Sequence, residues 1–134
     1  MNLINILFVC DEARHRSRTA SRFVNKLFNK YFKSDYAGIN DNADKKLTGK
    51  ILDSASIVFV MKEYQAEHIR KMFGYTGKII NLNIGDVGKG EKTIELFLKK
   101  SIMKWCADYI EERTIIGRVA KTFRNVLSDY IHNA

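Results

Sequence analysis

Two short apolar runs, Leu3 to Val9 and Ala55 to Met61, constrain the fold most. Neither alternates apolar with polar residues, so each suits a strand covered on both faces, as in a parallel sheet packed between helices. Helical patterns fill the interval after each run. Ala20, Phe23, Val24, Leu27, Phe28 and Tyr31 recur at helical spacing, with Arg22, Lys26 and Lys30 facing away. Tyr64 to Phe73 reads as a second helix in which Tyr64, His68, Ile69 and Met72 share a face and Gly74 is the C-cap. Tyr36-Ala37-Gly38 and Lys78 to Leu82 supply two shorter strands, and Leu47 to Leu52 a short helix. Strands alternating with helices predict an α/β domain of three layers, with a central four-stranded parallel sheet flanked by helices.

An extra C-terminal helical segment follows. From Thr93 onward Ile94, Phe97, Leu98, Ile102, Cys106, Tyr109 and Ile110 form one stripe. Ile116, Val119, Ala120, Phe123, Val126, Leu127 and Tyr130 form another, with a break expected between Glu111 and Thr114. Arg118, Lys121 and Arg124 fall outside the second stripe, which is expected to pack on its own domain rather than on a partner or an acidic membrane surface. The 134 residues are expected to make a single domain, 1–134, with 101–134 as a helical extension of it.

The net charge of +8 predicts attraction to anionic partners. The basic residues are spread along the chain and match no nucleic-acid-binding module, so no specific nucleic acid is expected. Cys10 and Cys106 cannot form a disulfide framework. The N-terminal apolar run lacks a basic leader and a cleavage site. No stretch reaches the roughly 20 apolar residues of a membrane span. A cytoplasmic protein, monomer or dimer, with a free Cys10 thiol is the expectation.

Between the first strand and the first helix lies Cys10-Asp11-Glu12-Ala13-Arg14-His15-Arg16-Ser17. A loop between a strand's carboxyl end and a helix N-terminus can turn backbone N–H groups inward and cradle an anion. Ligands of parallel sheets bind at that end. A thiolate at the start of such a cradle is a nucleophile toward phosphorus, and helix dipole, backbone N–H groups and Arg16 would all favour it. Arg16 can grip two phosphoryl oxygens at once, and Ser17 can donate a hydrogen bond to the thiolate. His15 reads as a solvated loop residue. His68 and His132 make no metal-ligand spacing, so neither a metal nor another cofactor is expected. Tyr36, Tyr64 and Tyr75 read as half-buried tyrosines that could line an aromatic substrate.

These residues resemble the opening of the low-molecular-weight protein tyrosine phosphatases, in which an apolar strand is followed by Cys, five residues, Arg and Ser. Three further segments resemble that family in the same order: Tyr36-Ala37-Gly38-Ile39, Ala55 to Met61, and Leu82-Asn83-Ile84-Gly85-Asp86. The resemblance covers about the first 100 residues and implies a divergent, bacterial-type member. It implies that Cys10 is the nucleophile and that Asp11, Glu12, Ala13, Arg14, His15, Arg16 and Ser17 wrap the phosphate. Arg16 is then the phosphate-binding arginine and Asp86 the general acid, with Glu91 a fallback on the same loop. The implied activity is hydrolysis of phosphotyrosine, in a protein or a small aryl phosphate, through a cysteinyl phosphate. The alternatives are a weakened relative that binds phosphate or phosphoprotein without turnover, an arsenate reductase, or a basic nucleic-acid-binding protein. Arsenate reductases of this type need two extra cysteines, whereas here only Cys106 remains, on a helix stripe where a core thiol is expected.

The chain departs from the family pattern at several positions. Arg18 stands where a proline is usual, and Glu12-Ala13 where Gly-Asn braces the loop. Asp86 is followed by Val87-Gly88 rather than proline and an aromatic. His15 replaces the cysteine that some members carry before the arginine. Asp11 and Glu12 place two carboxylates beside an anion site, where an inward-facing one would oppose phosphate. The alternative is that both point away and leave the cradle to the backbone.

Overall fold

The computed structural model describes residues 3–85 and 91–133. Its elements are β1 (Ile4–Cys10), α1 (Arg16–Leu27), β2 (Phe32–Gly38), α2 (Gly49–Asp53), β3 (Ile57–Val60), α3 (Glu63–Phe73), β4 (Lys78–Asn81), α4 (Glu91–Arg113) and α5 (Ile115–Asn133). The four strands form one all-parallel sheet in the order β2-β1-β3-β4. This is the expected α/β architecture. The two apolar runs become the two inner strands, β1 and β3, because only inner strands are covered on both faces and flanked on both edges.

Side chains alternate across the sheet. Leu7, Val9, Val58 and Val60 meet Leu52 of α2 and Ala66 and Ile69 of α3 in one buried cluster. On the other face Phe8 and Phe59 stack with ring centroids 5.2 Å apart. Ala20 and Val24 of α1 are fully buried. A polar latch fixes α1 to β2. Asn25 Oδ1 accepts from the Ser34 backbone N–H at 2.9 Å, and the Ser34 hydroxyl donates to the Ser21 carbonyl at 2.8 Å.

Three local expectations need correction. The first helix ends at Leu27, although Phe28 and Tyr31 continue its spacing. Phe28 caps it by donating to the Val24 carbonyl, and the next turn closes through Tyr31 and Phe32 N–H groups on the Phe28 carbonyl. Phe32, 1% exposed, then opens β2, which is longer than Tyr36 to Gly38. Aromatic contacts among Phe28, Tyr31 and Phe32 explain why helical spacing ran on past the helix. In α3 the buried face is Gln65, Ala66 and Ile69, whereas Tyr64 and Met72 are exposed. Gln65 is drawn inward by two backbone N–H groups, as described below. Gly74 adopts the left-handed conformation, φ +63°, and ends α3 as expected.

The chain divides into two compact units, Met1–Ile102 and Met103–Ala134. The break between α4 and α5 falls at Thr114. In the first unit, Leu98 and Ile102 of the α4 stripe are buried. In the second, Trp105 stacks on Tyr109 and the Arg113 guanidinium covers the Tyr109 ring. Lys121 and Arg124 pair with Glu112 and Glu111. In α5, Val119, Phe123, Val126, Leu127 and Tyr130 are all exposed. Among the described residues no helix is long and apolar enough to cross a membrane.

One backbone approach decides where the loop after β1 can lie. Gly38 pairs with Cys10 in the sheet. A Cβ on Gly38 would lie 2.6 Å from the Asp11 carbonyl oxygen and 2.9 Å from the Ala13 nitrogen. Real structures do not tolerate such contacts, so Gly38→Ala must displace the loop. We expect a loss of about 1–3 kcal/mol, the usual cost of overpacking, in urea unfolding of the purified variant.

Candidate active site

β1 delivers Cys10 to the carboxyl end of the sheet, beside β2 and next to β3. The loop that follows is held by backbone bonds from the segment after β2. Ile39 and Asn40 donate to the Cys10 and Asp11 carbonyls at 3.0 and 2.9 Å, and Asp44 donates to the Glu12 carbonyl at 2.9 Å. These bonds turn the loop's carbonyls outward onto the segment after β2. Ala13 is fully buried at φ 60°, a conformation that costs a non-glycine residue about 1–2 kcal/mol. The outcome is that its N–H points at the Cys10 sulfur, 3.3 Å away. Ser17 Oγ lies 2.9 Å from the same sulfur. Cys10 Sγ thus sits at the focus of two polar groups, with α1 beginning immediately beyond, at Arg16.

Cys10 lines a cavity of about 520 Å³. The loop residues Cys10, Asp11, Glu12, Arg14, His15 and Arg16 form its floor. Thr19 of α1 and Asn40 after β2 line it further, and Ile94, Glu95 and Leu98 of α4 make the far wall. Arg16 reaches across to the segment after β4, donating from Nη1 to the Ile84 carbonyl at 2.8 Å. That contact brings residues 82–85 against the cradle.

Both carboxylates are taken up by side-chain donors, although both residues line the cavity. Asp11 accepts from the Tyr64 hydroxyl at 2.6 and 2.7 Å and from Gln65 Nε2 at 2.9 Å. Glu12 accepts from Arg14 Nη1 at 3.0 Å, and Arg14 Nε donates to Asp44 at 3.0 Å. The Asp44 hydrogen bond, then the Asp44 and Glu12 charges, hold the Arg14 pKa above its ordinary value. Burial and then the Asp11 carboxylate push the Tyr64 phenol up to about 12, so it remains a donor at neutral pH. His15 is the N-cap of α1 but makes no capping bond through its side chain.

No family model matches this chain, and no curated protein does. Solved structures match it closely in shape. YfkJ from Bacillus subtilis aligns with a TM-score of 0.71 over 85% of this chain and 99% of its own, at 19% identity. The tyrosine phosphatase Wzb from Escherichia coli K30, in complex with phosphate, aligns at 0.68 over 80% and 99%, at 17% identity. The YwlE arginine phosphatase from Geobacillus stearothermophilus aligns at 0.70 over 82% and 95%, at 18% identity. The chain has the low-molecular-weight phosphatase fold.

Within that fold the structure brings together Cys10, Ser17, Arg16 and the loop between them. Asp86 and the Glu91 side chain lie outside the described residues. Cys106 is buried on α4, and burial pushes its thiol up to about 12. Tyr36 and Tyr75 are not among the residues lining the cavity. Several contributors escaped the sequence reading: Asn40, Asp44, Gln65 and the α4 wall. Gln65 hid because a polar residue in a helix reads as solvent-facing. Ile94 and Leu98 were visible as part of a stripe, but periodicity does not tell core from cavity wall.

The two thiols should separate chemically. Iodoacetamide at pH 8 is expected to modify Cys10, which lines the cavity, and leave Cys106 unmodified, as read by peptide mass spectrometry. Only above about pH 11 should Cys106 begin to ionise in the folded protein. Ser17→Ala should slow Cys10 alkylation at pH 7 by roughly three- to tenfold, the worth of one hydrogen bond to the sulfur.

Proposed function

We propose that this chain is a cysteine-dependent phosphatase acting on phosphotyrosine or another aryl phosphate monoester. The observation that carries the reading is the convergence of the Ala13 N–H and Ser17 hydroxyl on Cys10 Sγ at the bottom of a cavity that Arg16 lines. Support also comes from the fold, which the tyrosine phosphatase Wzb and the YwlE arginine phosphatase share.

In this reading Cys10 attacks phosphorus as a thiolate. An S–P bond forms while the bond from phosphorus to the leaving oxygen breaks. The loop backbone from Asp11 to Ser17 and the Arg16 guanidinium hold the three equatorial oxygens, whose charge they match better in the transition state than in water. Asp86 gives its proton to the leaving oxygen. Water then attacks phosphorus, Asp86 takes its proton, the S–P bond breaks, and inorganic phosphate leaves. Asp86 follows the Ile84-Gly85 segment that Arg16 tethers to the cradle, which favours it over Glu91 for this role.

The cavity wall suits an aryl group. Ile94, partly exposed on the wall, offers apolar contact where the sequence directly after Asp86 has no aromatic residue. A protein that only binds phosphate was suggested by the carboxylates beside the cradle. Their engagement with Tyr64, Gln65 and Arg14 weakens that alternative. No metal or other cofactor is needed for these steps. We further propose that the protein works in a reducing cytoplasm, where Cys10 stays a thiol.

Hydrolysis of p-nitrophenyl phosphate by the purified chain tests the reading. Wild type should turn over, while Cys10→Ser and Arg16→Ala should each lose about a thousandfold or more of kcat/KM. Asp86→Asn should lower kcat by about a hundredfold, the usual worth of a general acid. Phosphate binding without turnover in wild type would instead favour the binding-only alternative.

A further inference from the structure

We infer that Gln65 is a positioning residue which, with Tyr64, keeps the Asp11 carboxylate turned away from the anion cradle. The inference rests on the cradle reading above and adds how this chain tolerates an aspartate directly after its nucleophile. Gln65 is fully buried. Its Oε1 accepts two backbone hydrogen bonds, from Met61 at 2.8 Å and Lys62 at 3.0 Å. Two N–H donors on one oxygen settle which end of the amide is which. The NH2 end must therefore point the other way, and there it meets Asp11 Oδ1 at 2.9 Å. A fixed donor of this kind requires an acceptor opposite, and the loop supplies a carboxylate.

Tyr64 completes the clamp from the next position of α3, its hydroxyl within 2.7 Å of both Asp11 oxygens. The Asp11 carbonyl is held independently by the Asn40 N–H at 2.9 Å. Asp11 is thus secured through its main chain by the segment after β2 and through its side chain by α3. It also lines the cavity beside Cys10 and Arg16. Released, its carboxylate would stand next to a bound phosphate and repel it. The α3 donors do for this chain what a neutral residue at position 11 would do without help.

The substitution Gln65→Glu replaces the donor facing Asp11 with an acceptor that carries like charge. We expect the Kd for inorganic phosphate, measured by calorimetry at pH 8, and the KM for p-nitrophenyl phosphate to rise about tenfold or more, with kcat changing far less. Adding Asp11→Asn to the same chain should restore both, because the new amide donates to the new carboxylate and removes the misplaced charge. Tyr64→Phe alters a half-exposed side chain and keeps the fold; it should raise both constants by about threefold, the worth of a weak hydrogen bond. Wild type that fails to bind phosphate would overturn the cradle reading and this role with it. Wild type that binds phosphate while Gln65→Glu and Tyr64→Phe bind it equally well would overturn the positioning role alone. Loss in Gln65→Glu that Asp11→Asn does not rescue would also overturn it, since a purely structural defect behaves that way.

Discussion

The close packing of the loop backbone against Gly38 governs the geometry of this protein's candidate site. At the carboxyl end of the sheet, Asp11 and Ala13 main-chain atoms fill the space where a Cβ would otherwise be. From there the loop has little freedom. The N–H groups of Ile39, Asn40 and Asp44 take its outward carbonyls. With the carbonyls committed outward, the N–H of Ala13 is left for the sulfur. Ala13 accepts a left-handed conformation to achieve this, although it has a Cβ. Strain of that size persists only where surrounding bonds over-determine the backbone, and here the bonds to the Cys10, Asp11 and Glu12 carbonyls do so.

Charge is managed by the same neighbours. Three carboxylates and one guanidinium surround the outer side of the loop, and each is paired: Asp11 with Tyr64 and Gln65, Glu12 and Asp44 with Arg14. These are mostly exposed bonds, worth little singly to stability. Their effect is directional. They hold each carboxylate against a donor, while Arg16 extends to the Ile84 carbonyl. A loop whose sequence reads as electrostatically ill-suited to an anion has each of these side chains paired in the structure.

The sheet and the nucleophile loop were legible because their signals are short-range. Continuous apolar runs marked β1 and β3, and a cysteine at the end of one run followed by arginine and serine marked the cradle. Errors arose where a hydrogen bond rather than apolar spacing decided a residue's place. Phe28 and Tyr31 match helical spacing, yet the chain turns there so that Phe32 can join the sheet. Gln65 looks solvent-facing until the Met61 and Lys62 N–H groups claim its amide. The α5 stripe reads as core, whereas Val119, Phe123, Val126, Leu127 and Tyr130 are exposed. The deciding contacts at Phe28 and Gln65 are local backbone hydrogen bonds, which apolar periodicity does not encode.

The dispersal of the site along the chain bears on when it comes into being. Its parts come from residues 10–17, 38–47, 64–65, 84 and 94–98, joined through parallel strands whose pairing requires crossovers. Contacts of such long sequence separation are the ones whose loop-closure entropy is met last. A chain that has emerged only as far as β2 already contains Cys10, Arg16 and Gly38, but not the α3 donors that hold Asp11 outward. An anion that binds this site therefore selects the completed fold alone. On the proposed reading, its binding adds to native stability by mass action.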